Sequence, residues 1–111
     1  MTTLQIVPAN PRALDISVDE DSLTAYLEDG RVISVPTAWY PRLAHAQPDD
    51  LRRWKLLGRG HGIHWPELDE DISIDNLVLG QPSGESPQSF SRWLAWYSAK
   101  NAGKNAASRN L

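Results

Sequence analysis

Ala13-Leu14-Asp15-Ile16-Ser17-Val18-Asp19-Glu20-Asp21-Ser22-Leu23-Thr24-Ala25-Tyr26-Leu27-Glu28-Asp29-Gly30-Arg31-Val32-Ile33-Ser34-Val35 is the stretch that decides the fold class. Leu14, Ile16 and Val18 alternate with Asp15, Ser17 and Asp19. Such a period of two places apolar side chains on one face of a half-buried strand. Asp19-Glu20-Asp21 reads as a solvated turn, after which Leu23, Ala25 and Leu27 resume the alternation. Asp29-Gly30 supplies the positive-φ residues of a tight hairpin, and Val32, Ile33 and Val35 form the return strand. Residues 12–35 therefore read as a three-stranded antiparallel meander. One face of it needs a cover, because an apolar sheet face is not stable in water.

Upstream, residues 3–8 are short and mostly apolar and read as an edge strand or arm, closed by a turn from Pro8 to Pro11. Downstream, the cover is expected to be helical. Pro36 ends the last strand, and a short helix is predicted from Trp39 to Ala46 with Pro41 in its first turn. Pro48 opens a second helix, whose dipole Asp49 and Asp50 favour, with Leu51, Trp54 and Leu57 at approximate helical spacing. Gly58, Gly60 and Gly62 end that pattern in a loop, and Ile63 to Pro66 reads as a brief extended piece. Ser73 caps a helix containing Ile74, Leu77 and Val78 that stops at Gly80. The fold class is α+β: an N-terminal antiparallel meander of three or four strands packed on short helices. Residues 1–80 form its core.

Residues 81–86 read as a linker. Pro87 then starts a helix over 87–100, where Phe90, Trp93, Leu94 and Tyr97 fall at i, i+3, i+4 and i+7. Trp96 lies off this stripe. Residues 101–111 are Asn, Ala, Gly, Lys and Ser-rich and are expected to fray.

Composition narrows the function. The 111 residues suffice for one domain, and 41% hydrophobic content supports a core. There is no cysteine, which excludes disulfides, zinc–thiolate sites and thiol nucleophiles. Met1-Thr2-Thr3-Leu4 lacks a basic segment followed by an apolar run, so no signal peptide is expected, and no run is long enough for a membrane span. A cytoplasmic protein is expected. The net charge of −3 is mild but uneven: residues 1–50 carry eight acids and three bases, and residues 51–111 six acids and eight bases. Only the C-terminal half has a charge balance that attracts nucleic acid.

The order of motifs resembles a known family. Asp29-Gly30-Arg31 leads to Val35-Pro36 and Trp39-Tyr40-Pro41-Arg42-Leu43. Gly62-Ile63-His64-Trp65-Pro66, Leu68-Asp69-Glu70-Asp71-Ile72 and Leu77 to Gly80 follow. Over roughly residues 10–80 this resembles the bacterial domain of unknown function 2442. The resemblance implies a small α+β domain with trailing helices, often encoded beside a small partner protein, with an antitoxin-like role for some members. It transfers no catalytic residue and does not reach the 87–100 helix.

Candidate sites divide by chemistry. Glu67, Asp69, Glu70, Asp71 and Asp75 form an acidic segment to which His61 or His64 would add nitrogen ligands, but the spacing fits no calcium loop, and His61 and His64 would point to opposite faces of an extended piece. Glu67, Asp69, Glu70 and Asp71 are better read as a turn-fixing or partner-recognition edge. His61, His64 and Asp69 are the residues a small metal-dependent hydrolase would use, yet no nucleophile elbow accompanies them. Gly58-Arg59-Gly60-His61-Gly62 lacks the lysine and hydroxyl ending of a phosphate loop. Arg52, Arg53, Lys55 and Arg59, with Arg92, Lys100, Lys104 and Arg109, supply the basic residues for a nucleic-acid or anion contact, without a recognisable binding motif. Phe90, Trp93, Trp96 and Tyr97 form an aromatic surface suited to a protein interface. The sequence thus assigns no catalytic residue, cofactor or metal. It points to a protein-interaction module that binds a small protein or a second copy of itself, with a nucleic-acid-associated regulator and a small metal-dependent hydrolase around His61, His64 and Asp69 as alternatives.

Overall fold

The computed structural model describes residues 11–109, with side chains through residue 102. The strand expected over residues 3–8 and the side chains of Lys104 and Arg109 lie outside the described residues. Strands β1 (Ala13–Val18), β2 (Ser22–Leu27) and β3 (Val32–Pro36) form an antiparallel sheet in that order. Leu23, Ala25, Leu27 and Val35 face the core, as alternation requires. Thr24 and Ser34 share a hydroxyl hydrogen bond of 2.6 Å on the opposite face.

Leu14 departs from the expected pattern. The register of β1 on β2 shifts between Ala13 and Asp15, so Ala13 and Ile16 are buried while Leu14 is 63% exposed. A bulge inserts one residue and reverses the facing of everything before it. The same point carries a close backbone approach. Gly60 has φ +93, and a Cβ built on it would lie 2.3 Å from the carbonyl oxygen of Ala13.

The helical cover is shorter than the sequence implies, and a second sheet takes its place. After a single 3₁₀ turn at Thr37–Trp39 come α1 (Pro41–Ala44) and α2 (Pro48–Leu51). The helix expected to reach Leu57 stops at Leu51, and Lys55–Leu57 is strand β4. Leu51, Trp54 and Leu57 lack the i+4 member that closes a helical stripe. The backbone of 55–57 bonds instead to β5 (Gly62–Trp65), which also pairs with β6 (Glu70–Ser73). The turn between β4 and β5 places Gly58, Arg59 and Gly60 in succession at positive φ. Glycine is required at Gly60, where φ +93 and the contact with Ala13 exclude a side chain, while at Gly58 it spares the smaller cost of a left-handed residue.

Helix α3 (Ile74–Leu79) follows the sequence reading: the Ser73 hydroxyl accepts the Asn76 N–H, and Gly80 at φ +72 ends it. Residues 81–86 are tied down rather than free. Tyr40 donates its hydroxyl to the Gln81 carbonyl at 3.1 Å, and the Ser83 N–H bonds the Trp39 carbonyl. Helix α4 (Pro87–Arg109) continues past Lys100, where composition suggested fraying.

One core joins both sheets and α4. Trp65, Leu23, Ile63, Leu68 and Ile74 are fully buried, and Trp93 and Tyr97 of α4 are buried against the same cluster. Buried aromatic side chains still need partners for their polar atoms. The Trp65 indole donates to the Leu51 carbonyl at 3.0 Å, and the Trp93 indole to the Leu68 carbonyl at 2.7 Å. The Tyr97 hydroxyl donates to buried Asp50 at 2.5 Å and accepts the Gln47 N–H at 2.8 Å. Burial and the bond to Asp50 raise the Tyr97 pKa, so the hydroxyl stays a donor.

Three substitutions check this packing by urea unfolding. Gly60→Ala should cost about 3 kcal/mol or more, from positive φ plus the contact with Ala13. Gly58→Ala, at φ +57 with only a 4.0 Å contact, should cost about 1 kcal/mol. Equal costs would show that the Gly60–Ala13 approach is absent. Tyr97→Phe should cost roughly 2–3 kcal/mol by leaving the Asp50 carboxylate without its donor. A change near zero would remove Asp50–Tyr97 as the lock between α2 and α4.

Candidate interaction site

The structure separates the sequence-predicted aromatic surface into two roles. Trp93 and Tyr97 are core residues, stacked on each other with centroids 4.7 Å apart, and Phe90 stacks behind Trp93 at 5.7 Å. They are therefore not free surface. Trp96, off the stripe, is 46% exposed. Its ring is held in place by Lys100, whose ammonium lies 4.7 Å from the ring centroid and bonds the Glu67 carbonyl at 2.8 Å.

Trp96 stands on the edge of a groove of about 300 Å³ lined by Arg42, Asp69, Ser89, Arg92, Trp93 and Trp96. Helix α1 supplies Arg42, the approach to β6 supplies Asp69, and one face of α4 supplies the rest. Arg42 is the hub. Its guanidinium bonds Glu85 through Nε at 2.9 Å and Nη2 at 2.5 Å, donates to the Asp69 carbonyl at 2.7 Å, and lies 5.7 Å from the Trp93 ring centroid. Ser89 also donates to Glu85, at 2.6 Å. The bond to Arg42 lowers the Glu85 pKa, so this carboxylate remains charged.

Glu70 sits behind this pair under opposite influences. Burial pushes its pKa up to about 7, against the pull of Arg42 and the Asp71 N–H; Glu85 and Asp71 push the same way as burial. Asp69 adopts φ +50, a conformation aspartate tolerates better than most residues, and its carboxylate faces outward, 3.9 Å from Arg42. The acidic segment is thus not one surface. Glu67 meets Lys100, Asp69 and Glu70 flank Arg42, and Asp71 lies on the outer face of the second sheet, paired with His64 at 2.5 Å.

The other candidates do not converge. His61 contacts the Pro11 carbonyl at 3.0 Å while His64 contacts Asp71, so the two histidines and Asp69 have separate partners. Among the described residues no group of three histidine, aspartate or glutamate side chains is placed to hold a metal ion. Arg52 pairs with Asp49 and lines a second groove, of about 410 Å³, with Val18, Leu43 and Leu51; Arg53 and Arg59 do not line it. No helix among the described residues is long and apolar enough to cross a membrane.

The family model described as protein of unknown function, DUF2442, matches residues 13–83. The chain belongs to the DUF2442 family. A crystal structure of a protein of unknown function from Rhodospirillum rubrum is similar over 68% of this chain and 93% of that one, with 31% identity and a TM-score of 0.60. A solution structure of an uncharacterized protein from Chromobacterium violaceum shares the fold at 19% identity and a TM-score of 0.56, covering 73% of this chain and 74% of that one. No curated protein matches the chain. The DUF2442 segment contains Arg42, Asp69 and Glu70, whereas Glu85, Ser89, Arg92 and Trp96 lie beyond it. The groove is therefore made jointly by the family domain and α4. Sequence reading passed over Arg42 and Glu85. A lone acid in a Pro/Ser/Gly segment and a lone base in a helix start were the only signals.

Glu70 gives a pH test. Between the ordinary carboxylate value of 4.5 and about 7, the folded chain keeps a proton the unfolded chain has released. The contribution of Glu70 to stability therefore falls as pH rises through that window and is lowest above it. Glu70→Gln should stabilise the chain at pH 8 by on the order of 1–2 kcal/mol, discounted for partial exposure, and change little at pH 4.5. Denaturant midpoints at the two pH values measure the difference. An identical shift at both would contradict the assignment.

Proposed function

We propose that this chain works by binding a small protein partner or a second copy of itself, with the Arg92–Trp96 edge of α4 and the adjacent Asp69 as its contact surface. The observation that carries this reading is Trp96: a large aromatic side chain left half in solvent, fixed in orientation by Lys100, on the edge of a groove with charged walls. Exposed, pre-positioned tryptophans beside arginine are the residues that dominate protein interfaces. The dispersal of His61, His64 and Asp69 supports binding rather than hydrolysis. The family resemblance favours an antitoxin-like pairing with a small protein in the cytoplasm, and the acidic residues Glu67 and Asp69 would meet basic groups of that partner.

The test is capture from native cells by the tagged full-length chain, followed by titration of the captured protein. Trp96→Ala should lower affinity by about 2 kcal/mol, roughly thirty-fold, and Arg92→Glu should weaken it in the same direction. Both side chains are exposed, so neither change should alter the free energy of unfolding by more than about 0.5 kcal/mol. Binding unchanged in both variants, or no stoichiometric partner at all, would rule the surface out.

A further inference from the structure

Three features of the groove edge have unspent capacity. Among the described residues Arg92 makes no ion pair, although its guanidinium carries five donors. The Asp69 side chain is 83% exposed, with its nearest cation 3.9 Å away. Trp96 lies one helical turn from Arg92 on the same face of α4 and completes the edge. One small surface therefore presents an unpaired cation, an exposed carboxylate held only at 3.9 Å by Arg42, and an exposed indole together.

Opposite charges on one edge make a surface complementary to itself. A two-fold axis between two copies brings each patch against its own equivalent, so that residue i meets residue j and j meets i. The chain's net charge of −3 gives two copies no general attraction, so any pairing must come from local complementarity of this kind. We propose that the chain forms a two-fold homodimer through this edge, with Arg92 of each copy against Asp69 of the other and the two Trp96 side chains at the centre. This deepens the reading of the groove as a contact surface and rests on it. The edge is small, so the dimer belongs to the weak class whose dissociation constants are on the order of micromolar or higher. The ring of Lys100 and Trp96 contacts removes part of the ordering cost, since the indole is already held.

Charge reversal tests the pairing directly. Full-length chain is sedimented over roughly 10–500 μM, the range in which small interfaces dissociate. Wild type should pass from 12.4 kDa toward twice that mass. R92D should remain monomeric because both cross-contacts become acid against acid, and D69K because both become base against base. An equimolar mixture of R92D and D69K should dimerise again, since in the mixed dimer one cross-contact is the unchanged Arg92–Asp69 pair and the other joins the two substituted positions with their charges exchanged. Asp69 lies at φ +50, where lysine is strained, so D69N is measured as well. Asparagine tolerates that conformation, and its lost charge should weaken the wild-type dimer several-fold. Misfolding cannot produce recovery on mixing. A wild type that stays at 12.4 kDa, or a dimer indifferent to R92D and D69N, or a mixture of R92D and D69K that stays monomeric, would overturn the proposal. If self-pairing fails while Trp96-dependent capture of a different protein succeeds, the groove remains the contact surface and only the identity of the partner changes.

Discussion

A buried aromatic side chain with a polar atom must find a partner for that atom, and the organisation of this chain depends on that constraint. Trp65, Trp93 and Tyr97 each pass through the core and end on a segment that has no regular ladder of its own. Leu51 closes α2, Leu68 sits between β5 and β6, and Asp50 belongs to a four-residue helix. A helix of four residues is far too short to persist by itself in water. These segments hold their positions because large apolar bodies pack beside them while the aromatic tips occupy their carbonyls and carboxylate. Tyr40 treats the segment after α3 in the same way through Gln81. The result is a small domain in which irregular backbone is fixed by side chains rather than by long elements.

The same constraint makes α4 part of the core. Its Trp93 and Tyr97 reach across to Leu68 and Asp50, so the helix packs over both the second sheet's connection and α2. Once those two directions are committed, the residue one position before Tyr97 is forced outward. Trp96 is exposed because helical geometry offers a single buried stripe, and the stripe belongs to 90, 93, 94 and 97. Arg42 then bridges the family domain to the start of α4 through Glu85. A nearly enclosed ion pair with a bidentate guanidinium fixes direction as well as distance. The position of the groove follows from that bridge.

Legibility in the sequence tracks the range of the interactions. The β1–β3 meander was readable because three strands repeat a period of two and Asp29-Gly30 marks a turn between neighbours. The helix over 74–79 was readable from its own cap and its terminal glycine. Of the second sheet only β5 was readable, as the extended piece from Ile63 to Pro66; its partners were not, since strands of three and four residues carry too few alternations to distinguish them from a broken helix or a loop. Leu14 was misplaced because a bulge leaves no local mark when the residues around it keep alternating. The aromatic stripe of α4 was visible, but not whether it faced a partner or its own sheet. Arg42, Glu70 and Glu85 were invisible as a group: they lie 15 to 43 positions apart, and only the packing of α1, β6 and α4 brings them together.

The central claim is that Trp93 is a core anchor while its neighbour Trp96 is surface. Hydrogen exchange of the indole N–H groups, followed by NMR on the intact chain, measures this directly. The expected result is that the Trp65 and Trp93 indole protons exchange only through global unfolding, with the same protection as the central amides of β2, while that of Trp96 exchanges close to the free rate. A Trp93 proton exchanging as fast as that of Trp96 would mean that α4 opens independently of the domain, and the account of the groove would fail with it.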